Sequence, residues 1–205
     1  MYILVGLGNP GEEYDKTRHN VGRMVVSDFC SKNKLPELAF DKKSNALVSV
    51  GEVTGGQGRG KSAKVTAILP ETFMNKSGVS VAKFVKSRKA AETLVVVHDE
   101  LDLPLGRVKI SFNKSSGGHR GVESIKKAVG TEAFVRVRVG ISPATASGKL
   151  KKPIGEEVVN KFILGKFSKK DEEGLKKISK NLQAALALLV SEGKERAMNE
   201  WNGKL

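Results

Sequence analysis

The three histidines of the chain are the side chains best suited to general acid–base chemistry. His19, His98 and His119 are the only histidines among the 205 residues, and each occurs at a predicted junction between elements. His98 is followed directly by Asp99 at the end of a strongly apolar run, TLVVVHDE. A carboxylate that accepts the proton of one imidazole nitrogen leaves the other nitrogen free to take a proton from water. This pattern is typical of a hydrolase without a nucleophilic side chain, although the spacing also fits His19 as a helix start and Asp99 as a turn former.

Four asparagines, Asn9, Asn20, Asn75 and Asn113, occur near the same predicted loops. An amide side chain both donates and accepts hydrogen bonds, so it can hold a peptide backbone or stabilise a developing oxyanion. A structural interpretation remains open for two of them. Asn75 stands where a helix N-cap is expected, and Asn9 suits the turn that its Asn-Pro-Gly sequence favours.

The stretch GLGNPG near the N-terminus matches the G-x-G-x-x-G pattern of dinucleotide-binding loops. In such loops a helix follows at once, and an acidic residue about 20 positions later binds the ribose. Here the apolar period of the first helix begins only near His19, and Asp28 falls within that helix. The sequence therefore disfavours a dinucleotide site and predicts a loop.

Predicted strands alternate with predicted helices along the chain. Apolar runs or alternation predict strands at 2–7, ELAFDKKSNALVSVGEV, SAKVTAIL, TLVVVHDE, RVKISFN and FVRVRVGI. Helical periods predict one helix after His19, one at NKSGVSVAKFVKSRK and one after His119. A long helix is predicted from the capping box of Ser168 and Asp171 to Gly193, and a short tail helix at ERAMNEWN. The segment SPATASGKLKKPIGEE is predicted to be a surface loop. This order predicts an α/β fold, a single layered domain over residues 1–205 with a twisted mixed β-sheet flanked by helices.

Composition points to a polyanionic partner. Thirty-six Lys and Arg against 22 Asp and Glu give a formal net charge of +14, which favours nucleic acid as the partner, with a solubilising surface as the alternative.

Cys30 is the only cysteine, so an intrachain disulfide and a cysteine zinc site are excluded. No apolar stretch is long enough to cross a membrane, and the N-terminus does not resemble a signal peptide. We expect a cytoplasmic monomer without membrane contact.

Two predicted strands carry basic residues on one face each. Arg107 and Lys109 alternate with apolar residues in RVKISFN, and Arg136 and Arg138 do so in FVRVRVGI. If the two faces adjoin, they form a basic strip beside the catalytic loops. The alternative is that these side chains only solvate an exposed strand face.

Four motifs together resemble the bacterial-type peptidyl-tRNA hydrolase family. They are VGLGNPGEEYDKTRHNVG, LPETFMNKSG, VVVHDELDLPLGRVKI and SSGGHRGVESI, and the resemblance extends through VRVRVGIS and FILGKF over essentially the whole chain. It implies an enzyme that cleaves the ester between a peptide, or an N-blocked aminoacyl group, and the terminal ribose of tRNA, so that tRNA is recycled. It also implies peptidyl-tRNA as the partner and no metal or cofactor.

The resemblance assigns roles to individual residues. His19 matches the family's catalytic histidine, and Asp99 matches the carboxylate that orients it. Asn9 and Asn75 match amides that hold the peptide side of the substrate and position the water. Tyr14 matches a tyrosine associated with the tRNA 3′ end, so the GLGNPG glycines are expected to shape the loop that presents Asn9 and Tyr14.

Further matches concern RNA binding and one departure. Lys109 and Arg138 match contacts to the tRNA acceptor stem, and His119 is expected to bind substrate. Where the family usually has GGHNG, this chain has GGHRG, so Arg120 replaces an asparagine that lines the site. Arginine cannot accept a hydrogen bond. Either the amide contact is lost or Arg120 turns outward to phosphate.

A non-catalytic RNA-binding relative of the same fold is the alternative function, since some relatives of the family have become splicing factors. Such a descendant could lose the catalytic side chains. The residues His19, Asp99, Asn9 and Asn75 are all present. The sequence therefore favours the enzyme.

Overall fold

A computed structural model describes residues 1–55, 61–145 and 147–204. Most of the predicted loop TGGQGRGK lies outside these residues. The strands are β1 (Tyr2–Gly6), β2 (Ala39–Asp41), β3 (Ala46–Thr54), β4 (Ser62–Pro70), β5 (Leu94–Pro104), β6 (Val108–Phe112) and β7 (Val135–Ser142). The helices in the described ranges are α1 (Val21–Lys32), α2 (Ser77–Val81), α3 (Arg88–Ala91), α4 (Arg120–Val129), α5 (Glu156–Ile163), α6 (Lys169–Glu192) and α7 (Lys194–Trp201).

The strands form one mixed sheet in the order β2-β3-β4-β1-β5-β7-β6. The central strands β4, β1, β5 and β7 run parallel, and β2, β3 and β6 extend the sheet by antiparallel pairing. The predicted α/β architecture with a mixed sheet is confirmed. In the part of the chain that the structure describes, no helix combines the length and apolarity needed to cross a membrane.

Helices cover both faces of the sheet, as parallel strands require. The apolar run of β5 supplies both cores by alternation, because successive side chains point to opposite faces. Val95 and Val97 pack in the core that includes residues of α1 and α6, whereas Leu94 and Val96 pack in the core that includes residues of α2 and α4. The ends of these strands are thereby held between two packed layers.

The predicted helix NKSGVSVAKFVKSRK is interrupted. A 3-10 turn at Met74–Lys76 leads into α2, which is only five residues long, and α3 follows separately. Gly, Ser and Val in this stretch are poor helix formers, so little intrinsic preference extends the helix. Asn75 lies inside the 3-10 turn, and its prediction as a helix N-cap is therefore wrong.

The C-terminal part follows the sequence pattern closely. Ser168 caps α6, because its side chain accepts a hydrogen bond from the backbone N–H of Asp171 while the Asp171 carboxylate accepts one from the Ser168 N–H. The tail helix is α7. The predicted loop 142–157 ends two residues early, because α5 begins at Glu156, and this helix was not predicted from the sequence.

Candidate active site

The strand β5 is longer than its neighbour β1 at the carboxyl edge of the sheet. The last pair between the two strands joins Gly6 to Val97, yet β5 continues to Pro104 beside β7. The predicted strand TLVVVHDE stops at Glu100, whereas β5 continues to Pro104, which pairs with Ser142 of β7. The Asp99 carboxylate consequently stands above the end of β1, where the β1–α1 connection passes.

Close backbone packing brings that connection down onto Asp99. A Cβ added at Gly22 would lie 2.3 Å from the Val97 carbonyl oxygen and 2.7 Å from the Leu7 backbone. Only glycine permits this approach. The 3-10 turn Arg18–Asn20, which precedes α1, therefore lies close to β5 and carries His19 to Asp99.

His19 and Asp99 form a buried hydrogen-bonded pair. The His19 Nδ1 atom lies 2.9 Å from Asp99 Oδ1 and 3.0 Å from Oδ2, and both side chains are less than one-tenth exposed. Because a carboxylate can only accept, Nδ1 carries the proton that His19 donates. The Nε2 atom is then the basic nitrogen, and His19 lines the open cleft.

His119 supports Asp99 from the other side. Its Nε2 lies 2.8 Å from Asp99 Oδ1, while its Nδ1 accepts hydrogen bonds from the backbone N–H groups of Gly121 and Val122 as the N-cap of α4. These contacts fix the Nε2–H tautomer. His119 therefore has no free basic nitrogen, whereas His19 keeps its Nε2.

The two imidazoles govern the ionisation of Asp99. Burial raises the pKa of this carboxyl, but the positive potential of His19 and His119, together with their hydrogen bonds, lowers it more. The pKa of Asp99 consequently lies well below its ordinary value. The carboxylate stays charged and holds the Nδ1 proton of His19 across the working pH range.

His98 belongs to the core and not to the cleft. It is fully buried, and its Nδ1–H donates to the Asp99 carbonyl oxygen at 2.6 Å. Burial and the positive potential of His119 and Arg136 lower the pKa of His98 well below its ordinary value, although Asp99 opposes the shift. The neutral imidazole is a support for β5 next to the His19–Asp99 pair.

His19, Asp99 and His119 also have the side-chain types of a metal site, with ligand atoms within 4.8 Å of one another. A histidine that binds a metal normally donates a hydrogen bond from its other ring nitrogen. The Nδ1 of His119 instead accepts two hydrogen bonds, so a metal at Nε2 would require an imidazolate. The arrangement suits a hydrogen-bonded acid–base pair better than a metal centre, and the expected absence of metal stays a prediction.

Asn9 is held in a network that orients its amide. Its backbone N–H donates to Asn20 Oδ1 at 2.8 Å, and Asn20 Nδ2 donates back to the Asn9 carbonyl at 2.9 Å. The Oδ1 of Asn9 accepts from the Met74 N–H at 2.8 Å. With this oxygen occupied, the amide NH2 is the group that Asn9 presents to the cleft. Asn20 fixes the loop from behind, a role that its position beside His19 did not reveal.

Asn75 lines the cleft directly, whereas Tyr14 borders it through a neighbouring ring. Asn75 is exposed on its 3-10 turn and lines the cleft. Tyr14 is half-buried and packs edge-to-face against Phe73, with ring centroids 6.3 Å apart. Phe73 lines the cleft, so Tyr14 borders the site through this ring.

These side chains line one cleft of about 930 Å³. Polar groups of Asn9, His19, Asp99 and His119 occupy one part, and residues 152–164, which include α5, form an opposing wall. That wall combines the apolar side chains of Pro153, Ile154, Val159, Ile163 and Leu164 with the polar ones of Lys152, Glu156 and Asn160. A pocket of this kind can hold an ester beside the base and a peptide against the apolar side chains of this wall.

The predicted basic strip is only partly present. Lys109 and Arg138 are cross-strand partners, Lys109 is exposed, and Arg138 Nε donates to Glu100 Oε2 at 2.7 Å. Arg136 is only 3% exposed, so its prediction as a surface residue is wrong. Its guanidinium donates to the Ser116 carbonyl in the loop before α4. This loop passes over the strand face, a tertiary contact that alternation cannot indicate.

Comparisons with known proteins identify a family. A family model described as peptidyl-tRNA hydrolase matches residues 3–205. The peptidyl-tRNA hydrolase of Herpetosiphon aurantiacus is 41% identical over 207 residues, covering 100% of this chain and 91% of that protein. That of Syntrophotalea carbinolica is 37% identical over 206 residues, covering 100% and 98%.

A solved structure gives the same result at the level of the fold. The crystal structure of peptidyl-tRNA hydrolase from Acinetobacter baumannii matches with a TM-score of 0.81 and 31% identity, covering 98% of this chain and 93% of that chain. The family model, the relatives and the shared fold show that the chain belongs to the peptidyl-tRNA hydrolase family.

Proposed function

We propose that this chain hydrolyses the ester between the peptide and the terminal ribose of peptidyl-tRNA, with His19 as general base and Asp99 as the residue that orients it. The observation that carries the assignment is the buried His19–Asp99 pair, whose remaining basic nitrogen belongs to a side chain lining the cleft. The family assignment supplies the substrate class. The complete set of site residues disfavours the non-catalytic RNA-binding alternative.

The reaction requires one proton transfer in each direction. His19 Nε2 takes a proton from water as the water oxygen bonds to the ester carbonyl carbon, and Asp99 stabilises the imidazolium that forms. The carbonyl oxygen gains the negative charge, and the amide NH2 of Asn9 and of Asn75 can donate to it. The C–O bond to the ribose then breaks, and His19 returns the proton to the leaving ribose oxygen. No covalent enzyme intermediate is needed.

The cleft also favours a blocked amino group. A free α-amino group is largely protonated near neutral pH, and burying that charge against the apolar side chains of this wall, such as Ile154 and Ile163, is costly. An N-acetyl or peptidyl group is neutral and fits the same wall. We therefore expect N-acetyl-aminoacyl-tRNA to be cleaved and aminoacyl-tRNA with a free amine to be spared.

An ester-release assay tests the proposal. Release of N-acetyl-amino acid from N-acetyl-aminoacyl-tRNA is measured with EDTA present, and the matched control is the same tRNA without the acetyl group. We expect hydrolysis of the first only. Loss of activity in EDTA that added metal restores would contradict a metal-free mechanism.

The remaining expectations are part of the same proposal. We propose that residues 1–205 act as one domain, because a single sheet receives strands from both halves of the chain. We also propose a cytoplasmic monomer, and the buried free thiol of Cys30 fits a reducing compartment. Light scattering coupled to size exclusion tests the monomer.

A further inference from the structure

Two ion pairs cross the mouth of the cleft. Arg120 Nη2 lies 2.5 Å from Glu156 Oε1, joining the first residue of α4 to the first residue of α5. Lys152 Nζ lies 2.6 Å from Asp102 Oδ1 and ties the same segment to β5. Arg120, Glu156 and Lys152 all line the cleft that holds the catalytic pair.

The Arg120–Glu156 pair is exposed and easily exchanged. The two side chains are 60% and 77% exposed, and ion pairs in such positions contribute little to stability. Little free energy therefore opposes an incoming anion. The planar guanidinium suits two ligand types in particular, carboxylate and phosphate, because both accept two parallel hydrogen bonds.

The substrate brings a phosphate to this place. The scissile ester lies on the terminal ribose, so a carbonyl positioned at His19 has the nearest phosphodiester only one sugar away. A phosphodiester would keep the charge of Arg120 paired when Glu156 leaves. A neutral peptide carbonyl would not.

We propose that Arg120 binds a phosphodiester at the 3′ end of the substrate RNA and that Glu156 occupies this site in the free protein as an internal competitor. The inference rests on the proposed function, which supplies the RNA. It assigns a ligand to the position where the family's motif usually has asparagine. Glu156 then sets how tightly the RNA end binds.

Binding of RNA without an ester measures this directly. The probe is a fluorescent single-stranded RNA ending in CCA with a free 3′ hydroxyl, titrated in a salt series. Arg120→Gln keeps amide donors but removes the charge, and we expect about tenfold weaker binding with a shallower salt slope by about 0.7. Glu156→Gln frees the arginine, and we expect about threefold tighter binding.

A double-mutant comparison separates the specific contact from general charge. Glu156→Gln in the Arg120→Gln background should give no gain, since the two residues act through one another. Asp102→Asn is the matched control, because it adds the same charge and breaks the other ion pair at the cleft mouth. Any gain from Asp102→Asn should persist in the Arg120→Gln background.

Uncharged linkages identify the ligand. When methylphosphonates replace the two linkages nearest the 3′ end, wild type should lose the affinity that Arg120→Gln loses, and the two changes together should lose no more. Equal affinity of wild type and Arg120→Gln for the unmodified RNA would overturn the inference. Full additivity of the two losses would also overturn the inference. So would an Arg120→Gln variant that binds the RNA as wild type does but has a raised KM for substrates with longer peptides, because that result would place Arg120 on the peptide.

Hydrolysis by the wild type keeps this test separate from the proposed function. If wild type cleaves N-acetyl-aminoacyl-tRNA and binds the probe, and Arg120→Gln binds the probe equally well, only the role of Arg120 is refuted. Wild-type protein that neither cleaves nor binds refutes both.

Discussion

Asp99 determines the chemistry of its neighbours at the scale of single residues. It accepts hydrogen bonds from two imidazoles, and those imidazoles in turn keep it ionised. His119 is fixed as a donor by two backbone N–H groups, so the only imidazole left with a basic nitrogen at the cleft is His19. The division of roles follows from hydrogen-bond partners and not from residue type.

Replacing either member of the pair should separate catalysis from binding. We expect His19→Ala to lower kcat/KM by about 10² to 10⁴-fold, the usual contribution of a general base. Asp99→Asn should lower it about 10²-fold or more, because the amide NH2 would face the Nδ1–H of His19 where Oδ2 now accepts it, and the charge that stabilises the imidazolium would be lost. Both variants should bind tRNA as wild type does, as judged by titration with deacylated tRNA.

The matched control is Asp102→Asn, which makes the same chemical change three residues along β5 at an exposed carboxylate. Its turnover should stay near wild type. A loss of tRNA affinity in Asp99→Asn that equals the loss of turnover would remove Asp99 from the orienting role.

The buried His98 should make stability depend on pH. Its folded-state pKa is lowered, so below its unfolded pKa, about 6.5, the unfolded chain binds a proton that the folded chain does not. Stability is therefore present above this pH and is lost as the pH falls. Between pH 7.5 and 5.5 this site should cost about 1.4 kcal/mol of unfolding free energy.

Urea unfolding of wild type and His98→Asn at both pH values measures the effect. Asn can keep the donor that Nδ1 supplies to the Asp99 carbonyl but does not titrate. The wild type should lose about 1.4 kcal/mol more than the variant on acidification, with His19, His119, Asp99 and Arg136 common to both. Parallel losses would show that His98 does not titrate between folded and unfolded states.

At the scale of secondary-structure elements, the length of β5 and the close backbone approach at Gly22 position the site. The extra residues of β5 place Asp99 beyond the end of β1, and Gly22 lets α1 begin directly against that end. His19 and Asp99 meet because β5 extends beyond β1 and because Gly22, at the start of α1, has no side chain to hold the helix away from the sheet. Neither side chain would reach the other if the helix moved outward.

Gly22→Ala should therefore damage catalysis through geometry. The added methyl group would lie 2.3 Å from the Val97 carbonyl oxygen, which forces the turn that carries His19 away from Asp99. We expect a loss of about 1 to 3 kcal/mol in unfolding free energy and a fall in kcat of about tenfold or more. Urea unfolding and single-turnover hydrolysis measure the two effects.

Gly174→Ala is the control, since Gly174 lies within helix α6 and a Cβ there would meet only Leu105 at 3.7 Å. This variant should be as stable as wild type, or up to about 1 kcal/mol more stable, with unchanged kcat. Equal behaviour of the two alanine variants would show that the close approach at Gly22 does not position His19.

At the scale of the whole molecule, the cleft and the basic strands lie on neighbouring parts of one sheet. Lys109 and Arg138 are cross-strand partners on β6 and β7, and β7 pairs with the strand that carries Asp99. A net charge of +14 attracts the tRNA phosphates over a longer range. We expect the tRNA body to lie along these strands while its 3′ end enters the cleft.

Salt titrations test that placement. Lys109→Ala and Arg138→Ala should each weaken binding of full-length tRNA and reduce the salt slope by about 0.9 if each contacts one phosphate. Turnover of a minimal substrate without the acceptor stem should stay near wild type. Arg138 also pairs with Glu100, so Arg138→Lys, which keeps the charge, should recover most of the affinity.

Lys64→Ala supplies the matched control, because Lys64 is an exposed strand lysine on β4, on the other side of β1 from Lys109. It removes the same charge far from the proposed surface. A salt slope that Lys64→Ala lowers as much as Lys109→Ala would point to diffuse attraction instead of a tRNA site on β6 and β7.

The sequence by itself determined the elements that depend on near neighbours and the residue types that carry the chemistry. Alternation in FVRVRVGI, the capping box at Ser168 and the four motifs each act over a few residues, and the fold class and family followed from them. The partners His19 and Asp99 were named together from the residue types and the resemblance. Naming them as partners did not require knowing how close they lie in space.

Tertiary structure decided what depends on contacts between distant residues. The His19–Asp99 bond spans 80 positions, the tautomer of His119 depends on where α4 begins, and the burial of Arg136 depends on a loop that passes over its strand. The pair Arg120–Glu156 likewise joins two helix starts 36 positions apart. Local patterns record the period of a helix or strand, whereas hydrogen-bond geometry, desolvation and close backbone approach exist only after the elements have packed.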